Sequence, residues 1–265
     1  MPIGKSGDPV THISQAYPDR VEVRGRDLAG DLMGRLSFTE YFHLLLTGRE
    51  PTEDQRFFLD LLLVAIAEHG MMPTNVAARM TLAADPGSLQ GAVAAGILGC
   101  GPVILGTSEE CARLLEDAQE RVAAGGEPAE VASNAVRAIR ASGGRVPGFG
   151  HPVHRPDDPR AERILELADA RGTSGPHVVL ARQVRHAVAE AWGRPLTMNV
   201  SMPIAAVMLD LGFSSATVKS VPILARTASL LAHLAEEQQL PVGFRMADRA
   251  EEAVRYERQP EDEVR

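Results

Sequence analysis

Apolar positions along this chain recur with the three-to-four-residue spacing of amphipathic helices, beginning at Ser37. The segment FTEYFHLLLTG opens behind Ser37, carries Glu40 three residues later as a capping box, and stops at Gly48. The next helix opens behind Thr52, with Glu53 and Asp54 suited to its N-terminus and Gly70 as its stop. Its apolar stripe is Phe57, Phe58, Leu61, Leu62 and Ala65. A short helix follows over residues 75–84. Ser88 then opens LQGAVAAGILGCG, which is small and apolar on nearly every side. Such a helix is predicted to be buried at close range, and it is a candidate subunit interface.

Two amphipathic helices come next, EECARLLEDAQERVAAGG behind Ser108 and PAEVASNAVRAIRASGG. Asp158 caps another that starts on Pro159. Further helical segments cover residues 178–192, 203–211 and 215–238, with Pro222 ending or kinking part of the last. No run alternates as strands do. The pattern therefore predicts an all-α fold of roughly ten helices. Residues 1–18 read as a polar arm, and the tail after Arg249 as charged and solvated or frayed.

Composition narrows the function. The 265 residues suffice for one large domain or a domain with a smaller lobe, and 45% of them are apolar. A net charge of −8 excludes the general basic field of a nucleic-acid binder, while 27 basic residues leave room for a local anion site. Cys100 and Cys111 have neither disulfide-framework nor metal-ligand spacing, so a reducing cytoplasm is expected. The histidines also lack ligand spacing, and no metal is expected. No signal peptide is read at the start, and no run approaches the ~18 apolar residues of a membrane span.

The stretch GGRVPGFGHPVHRPDDPR concentrates the candidate chemistry. Its glycines let backbone N–H groups approach a ligand, its arginines offer planar forks to carboxylate or phosphate, and its histidines suit acid–base work near neutral pH. The same composition also describes a solvated surface loop.

GFGHPVHRPDDPRA resembles the citrate synthase signature G-(F/Y)-G-H-x-V-x-x-x-x-D-P-R without a gap. VRGRDLAGDLMGRLSFTEYFHLLLTGREPT and IAEHGMMPTNVAARMTLAADPGSLQGAVAAGILGCGPV resemble the earlier family segments. LTMNVSMPIAAVMLDLGF and ILARTASLLAHLAEE resemble the closing helices, so the likeness runs from about Val21 to Glu237. The short length is similar to citryl-CoA lyase and to the corresponding module of ATP-citrate lyase. The resemblance implies a large helical domain (residues 1–104 and 196–265), a smaller inserted helical domain (105–195) and a homodimer or higher homo-oligomer. It also implies an acyl-CoA thioester and a dicarboxylate or oxo acid as ligands. Coenzyme A then enters as part of the substrate, with no tightly bound cofactor.

Position by position, the resemblance implies that His151 handles the proton of the carbinol oxygen. His69 helps bind the dicarboxylate, although Glu68 stands where an aspartate is usual; on spacing alone, His69 also suits a helix C-terminus. Arg160 and Arg226 are the implied carboxylate ligands. Arg245, with Arg249 as competitor, is the implied arginine reaching across a dimer. The loop Arg145, Val146, Pro147, Gly148, Phe149 and Gly150 is expected to receive coenzyme A, with Arg155 at a phosphate.

Two departures stand out. The family's G-P-x-H-G-G reads GPVILGT, so Ile104 and Leu105 replace a histidine and a glycine. Its N-V-D reads NVS, so Ser201 replaces the carboxylate that deprotonates acetyl-CoA. A lost general base costs roughly 10²–10⁴ in rate and a lost oxyanion donor roughly 10²–10³. Citrate synthesis is thus the least expected activity. A citryl-CoA lyase-like carbon–carbon lyase acting on citryl-CoA or a related 3-hydroxyacyl-CoA is the first reading. A non-catalytic protein that binds coenzyme A or a dicarboxylate is the alternative.

Overall fold

The computed structural model describes residues 9–101 and 107–258. Ile104 and Leu105, and with them the expected boundary between the two domains, lie outside the described residues. Among the described residues the fold is dominated by helices: α1 Phe38–Thr47, α2 Glu53–Ala67, α3 Pro73–Ala84, α4 Leu89–Leu98, α5 Thr107–Ala123, α6 Pro128–Ala141, α7 Pro159–Ala170, α8 Pro176–Trp192, α9 Ser201–Asp210, α10 Ser215–Val218, α11 Ser220–Gln239 and α12 Gly243–Ala253. None is long and apolar enough to cross a membrane.

The capping chemistry reads through. Ser37 and Thr52 each accept the N–H of the residue three positions on, and Glu40 and Gln55 return the bond to the cap backbone. Three boundaries differ from the pattern. α2 ends at Ala67 rather than running to Gly70, because Glu68 is extended and its carboxylate accepts the His69 and Gly70 N–H groups. The break between α10 and α11 falls at Lys219, which leaves Pro222 in the first turn of α11, where no N–H is needed. α12 has too few apolar residues to announce itself. Glu237 accepts the N–H groups of Val242 and Gly243 at its start.

A small antiparallel sheet departs from the expectation of no strands. β1 Ser14–Ala16, β2 Val21–Val23 and β3 Arg26–Asp27 pair in sequence order. Strands of two or three residues cannot show an alternating pattern. Arg24 and Gly25, both at positive φ, turn β2 into β3.

Two cores matter for the site. The larger joins Phe58, Leu59 and Leu62 of α2 to α5, α6, α7, α8, α9 and α10. At its centre is α9, where every residue from Ser201 to Leu209 is buried. The smaller core packs α3, α4 and α11 through Ala78, Leu82, Ala92, Leu230 and Leu234. A side chain on Gly96 would come within 2.7 Å of Leu230, which explains the small residues of α4. That helix is not buried all round, however: Leu98 is 82% exposed in the single chain.

Gly148 couples the larger core to the glycine-rich loop. It sits at φ +79°, and a Cβ there would lie 2.8 Å from Cys111 Sγ and 2.9 Å from Met202 Cβ. Gly148→Ala is expected to destabilise the fold by about 2–5 kcal/mol, from left-handed strain plus overpacking. Urea denaturation at constant m-value checks this.

Candidate active site

The site is built from the end of α2, the loop before α7 and the middle of α11. Glu68 follows α2 directly. Its Oε1 accepts the N–H of His69 (2.8 Å) and of Gly70 (2.7 Å), and its Oε2 accepts the Ser229 hydroxyl (2.5 Å) and His233 Nε2 (2.9 Å). Partial burial pushes this carboxyl up, but the donated bonds outweigh it and hold the pKa at about 2. His233 is oriented in turn by Arg79, which donates to its Nδ1 at 2.9 Å and is itself paired with Glu236 and Glu237. Asn75 closes the network, with its Nδ2 at 2.8 Å from His233 Nε2 and donating to Gly70 O at 2.7 Å. This network from α3 and α11 fixes the backbone at which His69 leaves the helix.

The loop is fixed from the other side. Gly150 N–H donates to Thr197 O (2.7 Å) and Asn199 N–H to Gly148 O (2.9 Å), pairing the loop with the segment that leads into α9. Asp158, fully buried, caps α7 and binds Arg160 in a fork, Nε at 3.0 Å and Nη2 at 2.8 Å. It also accepts the Val200 N–H at 3.2 Å. Burial would raise the Asp158 pKa, and the bonds from Arg160 reverse the shift.

These two anchors bring three histidines together. The rings of His69 and His151 lie 5.1 Å apart, those of His69 and His154 5.3 Å, and those of His151 and His154 4.3 Å, tilted by 30°. His69 Nε2 is 3.2 Å from His154 Nε2, and Arg160 Nη2 is 3.4 Å from His151 Nε2. The pKa values of His69 and His151 are lowered, first by burial and then by their charged and histidine neighbours, so both rings are neutral at pH 7. One nitrogen from each of the three rings falls within 4.8 Å of the others, a grouping that their spacing in sequence does not show.

Arg226 completes the constellation. It is buried on α11, donates from Nη1 to Ala67 O at 3.2 Å, and leaves Nε without a partner. A buried guanidinium so sparsely paired is suited to an incoming carboxylate.

Residues 12–245 match the family described as "Citrate synthase, C-terminal domain". The chain belongs to the citrate synthase family. It is similar to citryl-CoA lyase from Hydrogenobacter thermophilus, with 30% identity, 96% of each chain covered and a TM-score of 0.83. It also shares its fold with ATP citrate lyase from Methanothrix soehngenii, solved in complex with citrate and coenzyme A, with a TM-score of 0.78. That likeness has 22% identity and covers 99% of this chain and 44% of the other. Citrate synthase from Synechocystis sp. is 28% identical over 209 residues, which are 77% of this chain and 50% of that protein. The chain thus spans about half the length of the curated relatives it matches.

Of the residues that the family resemblance points to, His69, His151 and Arg160 meet in one cluster, with Arg226 donating to Ala67 at its edge. His69 turns its ring toward His154 rather than lying along the end of α2. Arg245 lies exposed on α12, with no hydrogen bond or ion pair among the described residues. Val146 and Gly148 are buried, while Arg145 and Arg155 are exposed and have no ion pair among the described residues. Ser201, at the start of α9, is buried, and its N–H donates to Asn199 Oδ1 at 3.1 Å. The sequence reading missed the support of Asn75, Arg79, Ser229 and His233. All four lie inside the segments that resemble the family, but nothing in those segments shows that they meet.

Two outcomes follow. Glu68 has a depressed folded pKa, so its stabilisation is complete above ~4.3 and lost as pH falls toward 2. Glu68→Gln is expected to flatten the decline of stability with pH between about 4.5 and 3, measured by urea unfolding at stepped pH. Arg226→Met should keep or raise the melting temperature of the free protein. Any stabilisation that a dicarboxylate such as citrate gives the parent chain, ~2.7 kcal/mol at 100 times its Kd, should be lost in the variant. Thermal shift with and without citrate reads both.

Proposed function

We propose that this chain is a carbon–carbon lyase that cleaves citryl-CoA, or a related 3-hydroxyacyl-CoA, to acetyl-CoA and an oxo acid. The observation that carries the reading is the convergence of neutral His69 and His151 with Arg160, beside the half-paired, buried Arg226. Two guanidiniums suit a substrate with carboxylates, and a neutral imidazole beside them suits the tertiary alcohol. The length and coverage shared with citryl-CoA lyase from Hydrogenobacter thermophilus support it.

The substitution at Ser201 bears on direction. Condensation begins by removing a carbon-bound proton, for which a hydroxyl at pH 7 is no base. Cleavage begins at the alcohol, and the histidine cluster serves that end. Ser201 also favours the second reading, a chain that binds coenzyme A and dicarboxylate without turnover. Coenzyme A is assigned to the loop of Arg145, Val146, Pro147, Gly148, Phe149 and Gly150. The exposed guanidiniums of Arg145 and Arg155 are then free for its phosphates.

The active form is proposed to be a homodimer. Val64 of α2 is 78% exposed and Leu98 of α4 82%, and Leu231 of α11 also faces outward. α2 and α4 both pack against α11, and apolar side chains so exposed suit burial against a second copy. Arg245, exposed on α12, is assigned to the partner's site.

Cleavage of citryl-CoA, followed by appearance of acetyl-CoA and oxaloacetate, tests the reading. Turnover is expected in the parent chain and a loss of roughly 10²–10⁴ in His151→Ala. Coenzyme A binding with no turnover would instead establish the binding-protein reading. Sedimentation is expected to show a dimer that Leu98→Glu weakens.

A further inference from the structure

His154 occupies a position that the family signature leaves unspecified, yet it lies inside the cluster. Its significance follows from the protonation of His151. Two backbone N–H groups point at His151 Nδ1, from Val153 at 3.1 Å and from His154 at 2.8 Å. A neutral imidazole has one ring proton, so two fixed donors at Nδ1 place that proton on Nε2. The Arg160 contact at Nε2 favours the other tautomer, but it is weaker. It is longer, at 3.4 Å, and the same Nη2 already donates to Asp158 at 2.8 Å. His151 can therefore donate to a substrate oxygen but has no free lone pair with which to accept its proton.

Cleavage of a tertiary alcohol needs an acceptor at that oxygen. The His69–His154 bond supplies one. A hydrogen bond between two Nε2 atoms 3.2 Å apart requires one ring to donate and the other to accept. In the neutral pair, the donating ring is left with a bare Nδ1. Among the described residues neither Nδ1 has a hydrogen-bond partner. His154 lies closer to His151 than His69 does, at 4.3 Å against 5.1 Å between ring centres.

Resting on the lyase reading above, we propose that His154 is the general base that takes the alcohol proton, with His69 fixing its tautomer and His151 donating to the same oxygen. The alcohol O–H bond breaks and its proton moves to His154 Nδ1. The O–H electron pair becomes the new C=O bond. The bond to the carbon beside the thioester breaks, and its electron pair forms the enolate. His154 then returns its proton to that carbon, directly or through water. One proton leaves oxygen and one arrives at carbon, with no co-reactant. The charge that His154 carries between these steps faces Asp158 at the start of α7, while Arg160 and Arg226 act on the His69 ring bonded to it. The substrate's carboxylates offset the two arginines.

The three rings also satisfy the distances of a metal site. Two features oppose that use: of the two His151 nitrogens, Nδ1 is filled by two backbone donors and Nε2 then carries the proton, and two arginines act on the neighbouring His69.

The test uses the full chain with His154→Phe, which keeps an aromatic ring against His151, and His154→Ala. Both are expected to lose roughly 10²–10⁴ in kcat on citryl-CoA. Substrate affinity should stay within about threefold. The fall in rate toward low pH should disappear in both, and added imidazole should restore His154→Ala in a saturable manner. Nitrogen-15 spectra of the free protein should show the His151 proton on Nε2. Several results overturn the proposal. These are rates within about threefold of the parent, a loss that neither changes the pH profile nor responds to imidazole, a His151 proton on Nδ1, or activity that requires a divalent ion bound through His154. A parent chain with no turnover overturns the lyase reading and this one with it. An active parent with an unaffected variant overturns the role of His154 alone.

Discussion

The arrangement depends on one buried carboxylate. Asp158 is fully inaccessible and accepts bonds from Arg160 N, Nε and Nη2 and from Val200 N. An ionised group in that position costs several kcal/mol to desolvate unless its lone pairs are filled, and here they are. The same bonds do three jobs. They cap α7, orient the guanidinium that approaches His151, and tie the histidine-bearing loop to the start of α9, the most deeply buried helix. Removing one partner would leave the others uncompensated, so the loop is held by electrostatic necessity and by the close approach at Gly148.

Glu68 does the corresponding work from the opposite wall. Its bonds pin the exit of α2, where a helix that ran on to Gly70 would carry His69 along its own axis. Both anchors are carboxylates kept ionised, and each sits beside a histidine kept neutral. The result is a cluster whose fixed positive charges are the guanidiniums of Arg160 and Arg226. Two unit charges at 4 Å interact by about 4 kcal/mol at an effective dielectric near 20. A dicarboxylate entering this cluster therefore gains attraction from both arginines and also makes protonation of the neighbouring rings easier. Substrate charge and acid–base chemistry are coupled by geometry.

Much of this was legible in the sequence, for identifiable reasons. Ser37, Thr52 and Asp158 cap helices through local chemistry, which a linear pattern reports directly. The loop around His151 announced itself by glycines whose conformations few other residues adopt, as at Gly148 and Gly150. The strands of residues 14–27 were too short to show alternation, and α12 is a short helix whose only large apolar residues are Phe244 and Met246. The support of His69 was hidden for a different reason. Ser229 and His233 lie more than 150 positions from Glu68, and on α11 they read as ordinary polar positions of an amphipathic helix. His154 was visible in the sequence as one histidine of a basic loop. Only the fold shows that His69, 85 positions away, meets it.

That meeting changes how a serine at position 201, where the family resemblance implies a carboxylate, is understood. If the family carboxylate were simply lost, the site would lack a base at carbon and nothing in the chain would replace it. In the cleavage direction the demand falls at oxygen first, and the carbon needs only a proton once the bond has broken. A histidine that has just accepted a proton is an acid at the moment an acid is required. The two roles that the family divides between a histidine and an aspartate can then fall to one ring close to both atoms, at the cost of a slow reverse reaction. The same substitution that disfavours synthesis is therefore compatible with cleavage, provided that the proton acceptor stands beside the donor, as His154 stands beside His151.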